Sequence, residues 1–161
     1  RRFILKKNLD NKGLKPGNIV IEISGGSPTQ STGRSAFITK AITDRFSNRI
    51  VCTNFCRAIE PNNLEYSAFI FSSIRYLYDL KIFFNYENGT TGIKNLDINR
   101  LLTSHEIVIP SMKVLHNFNV MFSEAIEMMQ KNGIQTEVLS RIRDELLPKL
   151  MNGEIEVAIE E

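Results

Sequence analysis

The chain is short of the residues that carry covalent and metal chemistry. It has only two histidines and two cysteines in 161 residues. Cys52 and Cys56 have no histidine nearby, so the ligand spacing of a zinc site is missing, and both thiols are expected to be structural, buried and reduced. His105 and His116 have no serine or cysteine motif beside them, and the carboxylates form no recognisable acid/base pair. A methyltransferase or nuclease would also need a cofactor or metal motif, and neither occurs. The expectation is a non-catalytic chain with no cofactor and no metal. Long apolar runs are missing too. Charges interrupt them well short of a spanning length and no signal-peptide pattern is present, which argues against a membrane protein and for a cytoplasmic one.

What is present is ordinary globular composition, 42% hydrophobic and 24% charged, with length enough for one real core. The chain opens on Arg-Arg-Phe-Ile-Leu without an initiator methionine, from which a fragment or a trimmed terminus is expected. The net charge of +2 hides an asymmetry. Residues 1–59 hold 11 Lys/Arg against 3 Asp/Glu, whereas residues 117–161 hold 4 against 9. The first part suits a polyanion or plain solvent, and the second suits a protein partner or solvent.

The hydrophobic pattern predicts an α+β chain: a mixed α/β domain over 1–110 and a long, coiled-coil-like helical segment over 111–161. Strand-like stretches are expected at 1–7, 18–24, 35–42, 49–59 and 106–109, and helices at 64–84 and 96–102, the latter capped from 95–97. In the helical segment, Phe118, Phe122, Ala125 and Met129 share one face, and Leu139, Ile142, Leu146 and Leu150 share another. Asn132-Gly133 interrupts the stripe, giving two consecutive helices or one long kinked helix. Pro148 should bend the last turn, and Asn152-Gly153 should stop it. Phe118, Phe122, Met129, Leu139, Ile142, Leu146, Leu147 and Leu150 pack either on the chain's own domain or on a partner; periodicity does not choose.

Two polar loops stand out. Residues 25–33, Gly-Gly-Ser-Pro-Thr-Gln-Ser-Thr-Gly, follow a hydrophobic strand and end beside Arg34. Residues 86–94 hold Asn88, Thr90, Thr91 and Lys94 around two glycines. Small hydroxyl and amide side chains with an arginine can meet phosphates and base edges, and they equally make an ordinary surface loop. Residues 28–35 also mimic a P-loop, but Pro28 replaces the first glycine and Arg34 the lysine, so a nucleotide-binding enzyme is the weaker alternative. A helical scaffold that binds no DNA is the other.

Three stretches resemble one family. Residues 143–157, RDELLPKLMNGEIEV, are similar to the conserved helical region of the DNA-specificity subunits of type I restriction-modification enzymes, with its RD-LLPKL-SGEI pattern. Residues 88–110 resemble the end of that family's target recognition domain. Residues 14–26, LKPGNIVIEISGG, resemble its opening strand, with Asn18 where Asp is more usual. The resemblance implies one target recognition domain, reading half of a bipartite target in double-stranded DNA, followed by one helical region that seats methyltransferase subunits. Restriction subunits are a further implied partner. With a single such domain, the chain is expected to be half of a two-domain subunit, or a half-sized subunit that pairs with a copy of itself through the helices. The DNA contacts expected on this basis are Ser27, Thr29, Gln30, Ser31, Thr32, Arg34, Asn88, Thr90, Thr91 and Lys94.

Overall fold

The computed structural model describes residues 3–89 and 92–156. The fold class is α+β, with two small antiparallel sheets and a long C-terminal helix. The chain divides into two compact units, 1–120 and 121–161.

The first unit is organised on strand β1 (Ile19–Glu22), where buried and half-buried residues alternate. Period-two alternation puts Ile19 and Ile21 on one face, and both are fully buried. β1 is the centre of the first sheet, flanked antiparallel by β3 (Ser35–Phe37) and β4 (Cys56–Ile59). The second sheet is built from pieces too short to announce themselves in sequence. β2 (Ser24–Gly25) pairs with β6 (Lys94–Leu96), which pairs in turn with β5 (Glu87–Asn88). Because β2 follows β1 after one residue, the two sheets are continuous through Ile23, whose N–H donates to the Phe55 carbonyl and whose carbonyl accepts from Leu96 N–H.

Helix α3 (Ser67–Asp79) covers the core with Ile74, alongside half-buried Ile70, Phe71, Leu77 and Tyr78. A 3₁₀ turn precedes it at Leu64–Tyr66 and another follows at Ile82–Tyr86, so the expected helix over 64–84 is a helix with 3₁₀ turns on either side. The break sits at Lys81, in the left-handed region at φ 60°. It turns Phe83 into the core, where its ring lies edge-on to Tyr78 at 6.1 Å between centroids. Helix α4 (Ile98–Ser104) buries Ile98 and Leu101, and the Asp97 side chain caps it by accepting from Arg100 N–H, as the sequence predicts.

Elsewhere the sequence pattern misleads. The basic opening reads as a strand, but the chain forms helix α1 (Lys6–Lys12) and residues 3–5 join no strand; residues 1 and 2 lie outside the described residues. Residues 35–42 form strand only as far as Phe37, with Ile38 still exchanging backbone hydrogen bonds with Gly17 and Asn18, before helix α2 (Lys40–Arg45), capped by Thr39. Residues 106–109 form no strand, since no sheet edge reaches them, and Val108 is 90% exposed. Cys52 and Cys56 are free and half-buried, not fully buried.

Helix α5 (Met112–Met151) runs through both units. In the first unit Leu115 is its buried contact, and Asn119 Nδ2 donates to the Glu65 carbonyl at 2.9 Å. Asn132-Gly133 does not end it. A mid-helix glycine costs only about 1 kcal/mol against alanine, which the many good helix formers on either side offset. Pro148 lies inside the helix, and the last turn resumes with Asn152 N–H donating to the Pro148 carbonyl at 3.0 Å. The expected stop is where the sequence put it. Gly153 turns left-handed at φ 75° and its N–H reaches the Leu150 carbonyl. Within the second unit the apolar stripe is open, with Met129 and Leu139 about two-thirds exposed and Ile142, Leu146, Leu147 and Leu150 exposed as well. Phe118 and Phe122 are half-buried. Among the described residues no helix is long and apolar enough to cross a membrane.

Candidate functional site

The two polar loops, far apart in sequence, leave the same small sheet. The pairing of Ser24 with Asn95 and of Gly25 with Lys94 places the start of loop 26–34 beside the end of loop 89–93. Side chains reinforce the pairing, since Ser24 Oγ donates to Asn95 Oδ1.

Loop 26–34 is a compact turn rather than a floppy arc. Ser27 N–H donates to the Gln30 carbonyl at 2.7 Å, and Ser27 Oγ accepts from Gln30 N–H at 3.0 Å. A serine hydroxyl bound to the backbone ahead of it is the usual way such a turn is held. Ser27 therefore shapes the loop, and Thr29 and Gln30 are presented at its exposed tip. Ser31 and Thr32, expected among the DNA contacts, are buried at 3% and 0% exposure. Gly33 lies flat on the buried Phe83 ring, which leaves no room for a Cβ.

Thr32 is buried because it is held by Glu87, a residue the sequence reading passed over. The Glu87 carboxylate accepts from both the N–H and the Oγ1 of Thr32 and from Lys94 Nζ at 2.9 Å. Its side chain is 5% exposed. Burial opposes its ionisation, but the hydrogen bonds from Lys94 and Thr32 outweigh that and hold its carboxyl below the usual range. One carboxylate thus ties the first loop to the strand that closes the second. Lys94 is committed to this tie and half-buried over the Phe84 ring, so it is not a freely projecting cation. Asn88 is exposed at the start of the second loop; Thr90 and Thr91 lie outside the described residues.

Arg34 is exposed at the base of the first loop and is also paired. Its Nε and Nη2 donate to the two carboxylate oxygens of Glu22 at 3.0 and 2.6 Å. These contacts raise the guanidinium pKa further. Only the tertiary pairing reveals Glu22 and Glu87, although Glu87 adjoins the glycine-rich loop it anchors.

Residues 28–35 do not form a phosphate cradle of the P-loop type. Such a loop leads into a helix whose first N–H groups face the phosphates. Residues 28–34 lead instead into strand β3. Among the described residues no group of three or more His, Cys, Asp or Glu side chains converges as a metal site. Burial, with Cys52 nearby, pushes the Cys56 thiol up, away from reactive thiolate. Among the described residues, the two loops present hydrogen-bond donors and acceptors on one small sheet.

No protein-family model matches the chain, and no solved structure matches it. Two curated proteins are similar to it. One is the specificity subunit of type I restriction enzyme HindI from Haemophilus influenzae, 27% identical over 128 residues that make up 80% of this chain and 28% of the relative. The other is the specificity subunit of type I restriction enzyme MjaIX from Methanocaldococcus jannaschii, 33% identical over 110 residues, 68% of this chain and 24% of the relative. The chain spans about a quarter of the length of these curated relatives. Over most of its own length, then, this chain is similar to type I restriction enzyme specificity subunits, the family that its motifs resemble.

Proposed function

We propose that this chain is a DNA-recognition module of a type I restriction-modification complex. Residues 1–110 read one half of a bipartite target, and residues 111–161 serve as spacer and assembly helix. The observation that carries the reading is the joining of loops 26–34 and 89–93 on one sheet through Glu87, which makes one polar surface from two segments. The basic excess of residues 1–59 supplies the sequence-independent attraction that a duplex requires. On this surface Thr29, Gln30, Arg34 and Asn88 are the exposed side chains able to reach base edges or phosphates. Thr90 and Thr91 complete the second loop in sequence. Ser27 and Lys94 hold the loops in shape.

The test is selection from a pool of random duplexes by the full-length protein assembled with its methyltransferase subunits. A shared half-site among the recovered duplexes, with affinity falling steeply as salt rises, is the expected result. Recovered duplexes with no common motif would refute recognition.

The open stripe of helix α5 is assigned to assembly, with methyltransferase subunits or a second copy of the chain. Replacing both Leu146 and Leu150 by Gln should weaken that association by at least about 100-fold, because each buried leucine contributes ~1.5–3 kcal/mol. The folded first unit should be unaffected. Sedimentation velocity reads the assembly and circular dichroism the fold. An unchanged sedimentation profile would remove the stripe from the interface.

A further inference from the structure

We propose that Arg34 reads a guanine in the target half-site and that Glu22 is the positioning residue that aims it. This inference rests on the DNA-recognition reading and adds to it one base and one pair of residues.

Glu22 and Arg34 face each other across the β1–β3 ladder, one position beyond the Ile21–Ser35 pair, with Glu22 N–H donating to the Arg34 carbonyl at 2.9 Å. Their side chains lie in a two-point contact on the same side of the sheet. Glu22 is the sheltered partner, its side chain 12% exposed against 59% for Arg34. Gly25 makes this shelter possible. A Cβ at that position would collide with the Glu22 carboxylate. The carboxylate is thus set into the base of the loop, and the arginine is held from behind.

A guanidinium has five N–H groups in one plane. Two of them, Nε–H and one Nη2–H, are taken by Glu22. Among the described residues nothing takes the rest, and the far edge, formed by Nη1 and the remaining Nη2 hydrogen, is directed away from the carboxylate. Two parallel donors on one edge match O6 and N7 of guanine, the one base that offers two adjacent acceptors in the major groove.

Phosphate is the competing acceptor, and the ion pair argues against it. A phosphate is attracted chiefly by net charge, and the Glu22 carboxylate, at about twice the distance, offsets roughly half of the arginine's attraction there. Directional hydrogen bonds to a neutral base edge survive such cancellation. Holding the side chain in advance also lowers the entropy lost on binding, which for a free arginine is large.

The experiment repeats the duplex selection with the assembled full-length protein and three variants: Arg34→Ala, Arg34→Lys and Glu22→Gln. The wild type should recover a half-site with one strongly specified G·C pair that becomes degenerate in Arg34→Ala and more weakly specified in Arg34→Lys, which lacks the planar fork, while the other columns persist. Discrimination at that pair should fall by roughly 5- to 150-fold. Glu22→Gln should lose part of it, with thermal stability close to wild type. Replacing that guanine by 7-deazaguanine removes the N7 acceptor, and should weaken wild-type binding while leaving Arg34→Ala unaffected. An unchanged motif with uniformly weaker binding and a salt slope reduced by about one would make Arg34 a phosphate contact and overturn the proposal. Unchanged motif and affinity would leave a surface ion pair with no part in recognition, which overturns it equally. Recovery of no motif by the wild type would overturn the recognition reading, and this inference with it.

Discussion

Gly33→Ala is expected to destabilise the first unit by about 3 kcal/mol, a large share of the ~5–15 kcal/mol that a domain of this kind has. Two independent terms add. Gly33 sits at φ 106°, where a side chain costs ~1–2 kcal/mol of backbone strain. A Cβ there would also fall within the ring of Phe83, which is itself fully buried and cannot retreat, and overpacking of that sort costs ~1–3 kcal/mol. Gly92→Ala separates the two. Gly92 has φ 84°, yet among the described residues nothing lies within 4 Å of the added carbon, so only the backbone term of about 1 kcal/mol applies. Urea denaturation of the two variants beside wild type measures the difference. Equal midpoints for the two would show that the Phe83 contact has no energetic weight.

Glu87→Ala is the second substitution with a large expected effect, a loss of about 3 kcal/mol. Removing one member of a largely buried ion pair leaves Lys94 and the Thr32 N–H without their acceptor in a site where water cannot fully replace it. Glu87→Gln is the informative companion, because its amide oxygen can still accept from Thr32 while the charge opposite Lys94 is gone. It should cost less, and its pH profile should differ in a defined sense. The folded protein holds the Glu87 carboxyl below its usual range, so the unfolded chain takes up this proton first as pH falls. The carboxylate therefore contributes stability that is fully present above the ordinary glutamate range. That contribution is lost as pH drops from there through the lower folded value. Wild type should lose stability over this acid window faster than Glu87→Gln, and the two curves should converge at its lower end. Parallel curves in denaturant melts between neutral and acidic pH would count against the network.

The same pair of variants bears on recognition, since the Glu87 side chain is almost wholly buried yet joins the two loops. If the loops read DNA as one unit, Glu87→Gln should blur the selected half-site without lowering the salt dependence of binding.

Much of the architecture was legible because it follows from local rules. Alternating isoleucines at 19 and 21 read as a buried strand, the Asp97 cap preceded a helix, and Gly153 closed one. Amphipathic spacing was equally plain in α3 and α5, although the stripe's interruption at Asn132-Gly133 suggested a break that a long helix absorbs. The errors have one cause. Residues 1–7 and 106–109 have strand-like composition, and strands exist only where a neighbouring edge completes their hydrogen bonds.

The candidate loops were legible for a similar reason: glycine, serine and threonine clusters mark turns whatever surrounds them. Which of their side chains face outward was not. Ser31, Thr32 and Lys94 have the chemistry of surface donors, but Ser31 is buried, Thr32 is held by Glu87, and Lys94 lies against Glu87 and Phe84.

By itself, then, the sequence determined the α+β class, the positions of the polar loops, the end of the long helix and the likeness to type I specificity subunits. The tertiary structure decided that the two loops share a sheet, that Glu87 binds them together and that Glu22 holds Arg34. Local signals act over a few residues of chain. Residues 32 and 87 meet only because strands of two and three residues, invisible as patterns, pair across the intervening chain and bring their carboxylate and amide within hydrogen-bond reach.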